Sequence, residues 1–133
     1  MIANLAFWLF SLVFDLLIPL VMIGFGKEFM RNPPKEINPG YGYRTTMSMK
    51  NKMTWDFAQR YAGKVWYKIS RIMLPLSILP MLLVIGKEIG TVGTVGLWVS
   101  MAQAAVMLGT IPVVEHALKK NFDKNGTRKT ETD

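Results

Sequence analysis

The chain has 133 residues, half of them hydrophobic, with a formal net charge of +7 and no cysteine. That length suits a single domain, and the missing cysteine excludes disulfides, thiol catalysis and thiolate metal sites. The apolar residues are gathered into blocks, and about 20 such residues rising ~1.5 Å each are enough to cross the ~30 Å core of a bilayer.

The first block runs over about residues 3–26 and is interrupted only by Asp15. A cleaved secretory leader is the rival reading, but it needs a basic n-region and a small-residue cleavage pattern. Met1 to Asn4 carry no charge and no A-x-A pattern comes after the block, so it is read as a span. Pro33, Pro34, Pro39, Gly40 and Gly42 then forbid a regular helix and predict a loop with turns. Ser48 is placed to N-cap the next helix.

From Met49 the pattern becomes helical. Met49, Met53, Phe57, Tyr61 and Val65 recur every four residues, flanked by Ala58, Ala62 and Trp66, while Asp56, Arg60, Lys64 and Lys68 line the opposite side. This predicts an amphipathic cytoplasmic helix running into the second span, with a bend near Gly63. Trp55, Trp66 and Tyr67 suit the headgroup layer, where amphipathic rings settle. The second span covers about 65–86, with Lys68 and Arg71 in its first turns and Pro75 and Pro80 freeing backbone carbonyls farther on. The third covers about 89–114 without a charge; Gly90, Gly93, Gly96, Ser100, Ala102 and Gly109 mark it as a packing helix. Residues 121–133 are polar and predict a disordered tail.

Basic residues crowd between the first two blocks (Lys27, Arg31, Lys35, Arg44, Lys50, Lys52, Arg60, Lys64) and again after the third (Lys119, Lys120, Lys124, Arg128, Lys129). Only Lys87 lies in the short connection between blocks two and three. The positive-inside rule then predicts the N-terminus outside and the long loop and C-terminus inside. Anionic headgroups account for these charges, and nucleic acid is not an expected partner. The expectation is thus an all-α membrane protein: three transmembrane helices, a cytoplasmic motif loop and amphipathic helix over 27–64, one membrane domain over 1–120, and the tail.

Two features bear on chemistry. Asp15 lies near the middle of the first span, where an ionised carboxylate costs roughly 2.5–3.5 kcal/mol on insertion scales, so it should face the bundle interior. Gln103 lies at comparable depth in the third span and is its natural neutral partner, while Pro19 leaves the Asp15 carbonyl without a helical donor. Such a pair fixes helix packing or serves function. The second feature is Arg44, which comes directly after Gly40-Tyr41-Gly42-Tyr43. Guanidinium forks bind anions bidentately and stack on rings, and Asn38, Thr45, Ser48 and Asn51 add neutral donors and acceptors. This stretch either forms a polar knot that plugs the cytoplasmic mouth of the bundle or binds an anionic group. No nucleophile–base pair, phosphate loop or ligand cluster is visible, so neither catalysis nor a cofactor is expected. Glu115 and His116 read as a solvated helix end rather than a metal site.

The stretch INPGYGYRTTMSMKNKMTWDFAQRYAGKVW resembles the signature of the SdpI family of small bacterial membrane proteins. The matching positions are Asn38, Gly42, Tyr43, Arg44, Thr45, Ser48, Asn51, Trp55, Gly63 and Lys64. The family takes its name from an immunity protein that protects toxin-producing bacteria from their own secreted killing peptide. That member is longer, and this chain resembles only its motif-bearing half. The resemblance implies a multi-pass protein of the bacterial cytoplasmic membrane, an immunity or resistance function, and a membrane-active peptide toxin as partner. From the residues themselves, Asp15, the prolines of the second span and Arg44 also suit a small proton-coupled exporter. Three helices enclose little, so that reading demands a homo-oligomer, most simply a dimer. The small-residue helix equally suits a structural subunit of a membrane complex.

Overall fold

A computed structural model describes residues 1–129, arranged as three helices: α1 (Ile2–Arg31), α2 (Lys52–Leu83) and α3 (Ile89–Asn121). Residues 32–51 join α1 to α2 and residues 84–88 join α2 to α3, so the chain runs up, down and up. Each helix has 30 to 33 residues, a length of about 45–50 Å at the α-helical rise. The amphipathic segment and the second apolar block are one helix, unbroken through Gly63, Pro75 and Pro80.

The bundle buries polar side chains at mid-length and turns large apolar ones outward. The residues that α1 buries are Ser11, Asp15, Pro19, Met22, Gly26 and Phe29, whereas Leu9, Phe10, Phe14, Leu17 and Val21 are exposed. α3 buries Gln103 and Thr110 among Val92, Gly96, Val99 and Val114, and exposes Leu97, Trp98, Met101 and Leu108. A core helix of a water-soluble protein would show the reverse. α1 and α3 are each long and apolar enough to cross a membrane, and lipid is the solvent that suits such a surface.

α1 and α2 touch backbone to backbone where they cross. A Cβ on Gly63 would lie 2.8 Å from the Gly26 carbonyl oxygen, and one on Gly26 would lie 2.8 Å from the Tyr67 amide nitrogen. Neither position accepts a side chain without moving a helix. On α3, Gly93 faces Phe7 and Gly96 faces Ser11 and Asp15, while Gly90 and Gly109 have nothing close to their missing Cβ. Only the middle of the small-residue series therefore serves packing.

Two apolar clusters close the ends. At one end Met81, Val84 and Val92 pack with Phe7, Trp8 and Leu12, and the Trp8 indole N–H donates to the Met81 carbonyl at 2.7 Å. That carbonyl lies in the last turn of α2 and also accepts from the Val84 amide at 3.2 Å. At the other end Tyr43, Ala58, Ala62, Val114, Leu118 and Phe122 form a core, ringed by Met47, Phe57 and Tyr61. Asn121 and Phe122 open the segment expected to be disordered, and Asn121 is still the last residue of α3. Residues 122–129 instead fold back in a turn, bridged between Phe122 and Arg128, with Gly126 at φ +82°. Burial of the Phe122 ring, edge-on to Phe57, explains the order. Residues 130–133 lie outside the described residues.

Candidate functional site

The loop of residues 32–51 lies over the end of the bundle formed by the start of α2 and the end of α3, and its polar residues are spent on one another. Asn38 opens it with an Asx turn, its Oδ1 accepting from the amides of Gly40 and Tyr41 at 3.0 and 2.6 Å. Gly42 comes next at φ +113°, where a Cβ would meet Gln59 Oε1 at 2.7 Å. Only glycine meets both demands.

Tyr43 is the centre of the arrangement. Its backbone N–H donates to Gln59 Oε1 at 2.6 Å, and its carbonyl accepts from Gln59 Nε2 at 2.7 Å. The Gln59 amide thus substitutes for a neighbouring strand. The Tyr43 hydroxyl donates to Glu115 Oε1 at 2.8 Å, and the Thr45 hydroxyl donates to the same oxygen at 2.7 Å. Burial, and secondarily the Glu115 carboxylate, push the Tyr43 phenol well above its ordinary range.

Ser48 ties the strand of the loop to itself. Its hydroxyl donates toward the Tyr43 carbonyl at 3.1 Å and accepts from the Thr45 amide at 2.8 Å. It does not cap the helix as expected. That role belongs to Asn51, whose side chain accepts from the Thr54 amide at 3.0 Å while Thr54 Oγ1 accepts from the Asn51 amide at 3.1 Å. Asn51 Nδ2 also donates to the Gly126 carbonyl at 2.8 Å, pinning the C-terminal turn. Trp55 is 0% exposed and donates its indole N–H to the Pro34 carbonyl at 2.7 Å, so it belongs to the knot and not to a headgroup layer. The buried face of this part of α2 is Trp55, Ala58, Gln59 and Ala62, with Met53 exposed. It is offset from the expected methionine stripe because the loop covers the Trp55–Gln59 side.

Arg44 stands apart. It is exposed, and among the described residues it has no ion pair and no ring stacked against it. The expected aromatic walls are engaged elsewhere: Tyr41 packs edge-on to Phe29 with centroids 5.5 Å apart, and Tyr43 is turned inward. Lys64 is exposed too, beside the Gly63 crossing.

A second polar centre lies between the helices. Asp15 and Gln103 are 2% and 3% exposed. Gln103 Nε2 donates at 2.7 Å to the backbone carbonyl of Asp15, the one that Pro19 frees, and at 2.8 Å to Ser77 Oγ. The Asp15 carboxyl accepts from Ser100 Oγ at 2.7 Å, while its Oδ2 and Gln103 Oε1 have no partner among the described residues. The expected pairing of the two residues therefore exists through a backbone oxygen, and it joins all three helices.

Gln59 and Glu115 are the residues that sequence reasoning missed. Gln59 recurs at steps of four with Trp55 and Gly63, a buried stripe that an amide in it should have flagged. Nothing local links Glu115 to a tyrosine 72 residues earlier. Among the described residues no group of three metal-ligating side chains comes together.

A family model, that of the SdpI/YfhL protein family, matches residues 35–114, which takes in the knot, all of α2 and most of α3. A relative in Bacillus subtilis (strain 168), the uncharacterized protein YfhL, is 48% identical over 33 residues, or 25% of this chain and 30% of that protein. The likeness therefore covers under a third of that relative's length. No solved structure matches.

Proposed function

The chain belongs to the SdpI/YfhL protein family, and on that premise we propose that it is a three-span membrane protein that protects its cell against a membrane-active peptide toxin, without catalysis. The third span is α2. Ile72, Leu76, Leu79, Leu82 and Leu83 are exposed along its second half, facing the same surroundings as the apolar exteriors of α1 and α3. The placement of basic residues orients the knot and the C-terminus toward the cytoplasm and the N-terminus outward.

The observation that carries the protective reading is the division of labour within the motif. Its asparagines, hydroxyls, aromatic rings and glycines have internal partners that hold the knot together. Among the described residues Arg44 has none, and it presents a guanidinium to whatever approaches the cytoplasmic mouth. A fold lock has no need of an exposed arginine, whereas a recognition surface does. The test is survival of sensitive cells under a panel of membrane-active peptides, with the native chain set against empty vector. Protection from at least one peptide supports the reading; equal killing across the panel overturns it.

A second reading rests on Asp15. A buried carboxyl held by the Ser100 hydroxyl, with its other oxygen unpartnered among the described residues, beside a Gln103 amide that links the Asp15 backbone to Ser77, suits a proton-coupled exporter working as a homo-oligomer. Protection that disappears with the proton gradient, and in Asp15→Asn, would favour export. Protection that survives both would favour passive immunity.

A further inference from the structure

On the outer side of the α1–α2 pair, next to the Gly26–Gly63 crossing, lies a cleft of about 360 Å³ lined by Lys64, Lys68 and Arg71 of α2, with Tyr67, Ile72 and Met30. The spacing of the three cations, i, i+4 and i+7, stacks them on one face of the helix. Arg71 lies over the Tyr67 ring, 5.3 Å from its centroid, which fixes the guanidinium beside the cleft. Among the described residues no carboxylate lines it. The one acid of α2, Asp56, is paired with Lys52 at 2.6 Å, and Glu28 of α1 is bonded to Asn32. Three cations thus converge on a space whose lining holds no counter-charge.

Directly beyond it, sharing Ile72, runs an apolar groove of about 580 Å³ between α2 and α3, floored by Ile69, Leu76 and Pro80 and walled by Trp98. A basic cleft leading into an apolar groove has the outline of one kind of molecule. We propose that this pair of cavities is a site for an anionic phospholipid, with the phosphate between Lys64, Lys68 and Arg71 and an acyl chain passing over Ile72 into the groove. Basic clefts between membrane helices at the cytoplasmic side are where such headgroups bind, and the arginine fork adds bidentate contact to a phosphate. The proposal rests on α2 crossing the membrane with its first turns at the cytoplasmic surface.

The experiment is native mass spectrometry of the full chain released from membranes of mixed phosphatidylglycerol and phosphatidylcholine. The native chain should retain phosphatidylglycerol selectively. Lys64→Gln/Lys68→Gln/Arg71→Gln should lose that selectivity by about a hundredfold, from roughly 1 kcal/mol for each basic residue near an anionic surface. A control triple, Lys35→Gln/Lys50→Gln/Lys124→Gln, keeps the same net charge and should retain the lipid. Ala102→Phe, which fills the groove without touching the cations, should also weaken retention. Equal retention of both lipids, or equal loss in both triples, would overturn the site. Displacement by inorganic phosphate as readily as by lipid would show an anion site without a chain and would overturn it too. Accessibility of a cysteine introduced by Leu83→Cys tests the crossing of α2 separately, so failure of the one is told apart from failure of the other.

Discussion

Gln59→Leu removes the clamp on Tyr43 while keeping a side chain of similar length in a fully buried position. Gln59 makes two hydrogen bonds, at 2.6 and 2.7 Å, to the backbone of Tyr43 and is 0% exposed. After the substitution the Tyr43 carbonyl still has the Ser48 hydroxyl at 3.1 Å, but the Tyr43 N–H loses its acceptor. An orphaned buried donor costs about 1–3 kcal/mol and a lost net hydrogen bond about 1, so the knot should lose about 2–4 kcal/mol. Leucine offsets little of this, because the space it enters is shaped for a planar amide. The assay is reversible unfolding of the detergent-solubilised chain followed by circular dichroism, with Met53→Gln as an exposed control on the same helix. A second readout is protease cleavage within residues 32–51, which should rise in Gln59→Leu alone. A change under about 0.5 kcal/mol, the size of an ordinary surface substitution, with unaltered cleavage would refute the claim that this amide holds the loop.

Burial and Glu115 raise the Tyr43 phenol above the free value of about 10, so the folded chain holds that proton longer than the unfolded one. Its contribution is fully present below pH ~10 and is lost as pH rises further toward the folded value. Alkaline unfolding curves should therefore be flatter for Tyr43→Phe than for the native chain, and absorbance titration should find one tyrosine ionising last. Gly63→Val would drive a side chain into the Gly26 carbonyl and Phe29 Cβ, each 2.8 Å from the added Cβ. Helix separation should cost about 1–3 kcal/mol, read as a lower unfolding midpoint, with Gly109→Val, where there is open space, nearly silent. Gln103→Leu removes the donors to the Asp15 carbonyl and Ser77 and should cost about 1–2 kcal/mol in the same assay.

The helices were readable because a bilayer imposes long apolar runs, and α1 and α3 carry them with little interruption. Asp15 and Gln103 were readable for the same reason, since polar residues at that depth have few places to go but toward each other. The boundaries were less so. α1 continues to Arg31 and α3 to Asn121, past the apolar blocks, because water at their ends tolerates a charged helix as well as a loop. The buried side of α2 was misjudged because methionine and tyrosine look like core by hydropathy. What decides the face is a loop whose fold depends on Gln59 and Glu115, one 16 and the other 72 residues from Tyr43. The placed turn after α3 was hidden likewise: one phenylalanine in a polar tail gives no periodic signal, yet its ring completes a core built from three other segments.

The motif is two things at once, an internal lock and an exposed arginine, and Arg44 separates them. The most direct measurement is protection and unfolding stability of Arg44→Ala and Arg44→Lys in parallel, at matched membrane abundance, against a peptide from which the native chain protects. Both variants should keep native stability. Arg44→Ala should lose protection, and the lysine should rescue it only in part, because its ammonium lacks the planar fork. Full protection by Arg44→Ala, or a fall in its stability as large as that of Gln59→Leu, would contradict this division of roles.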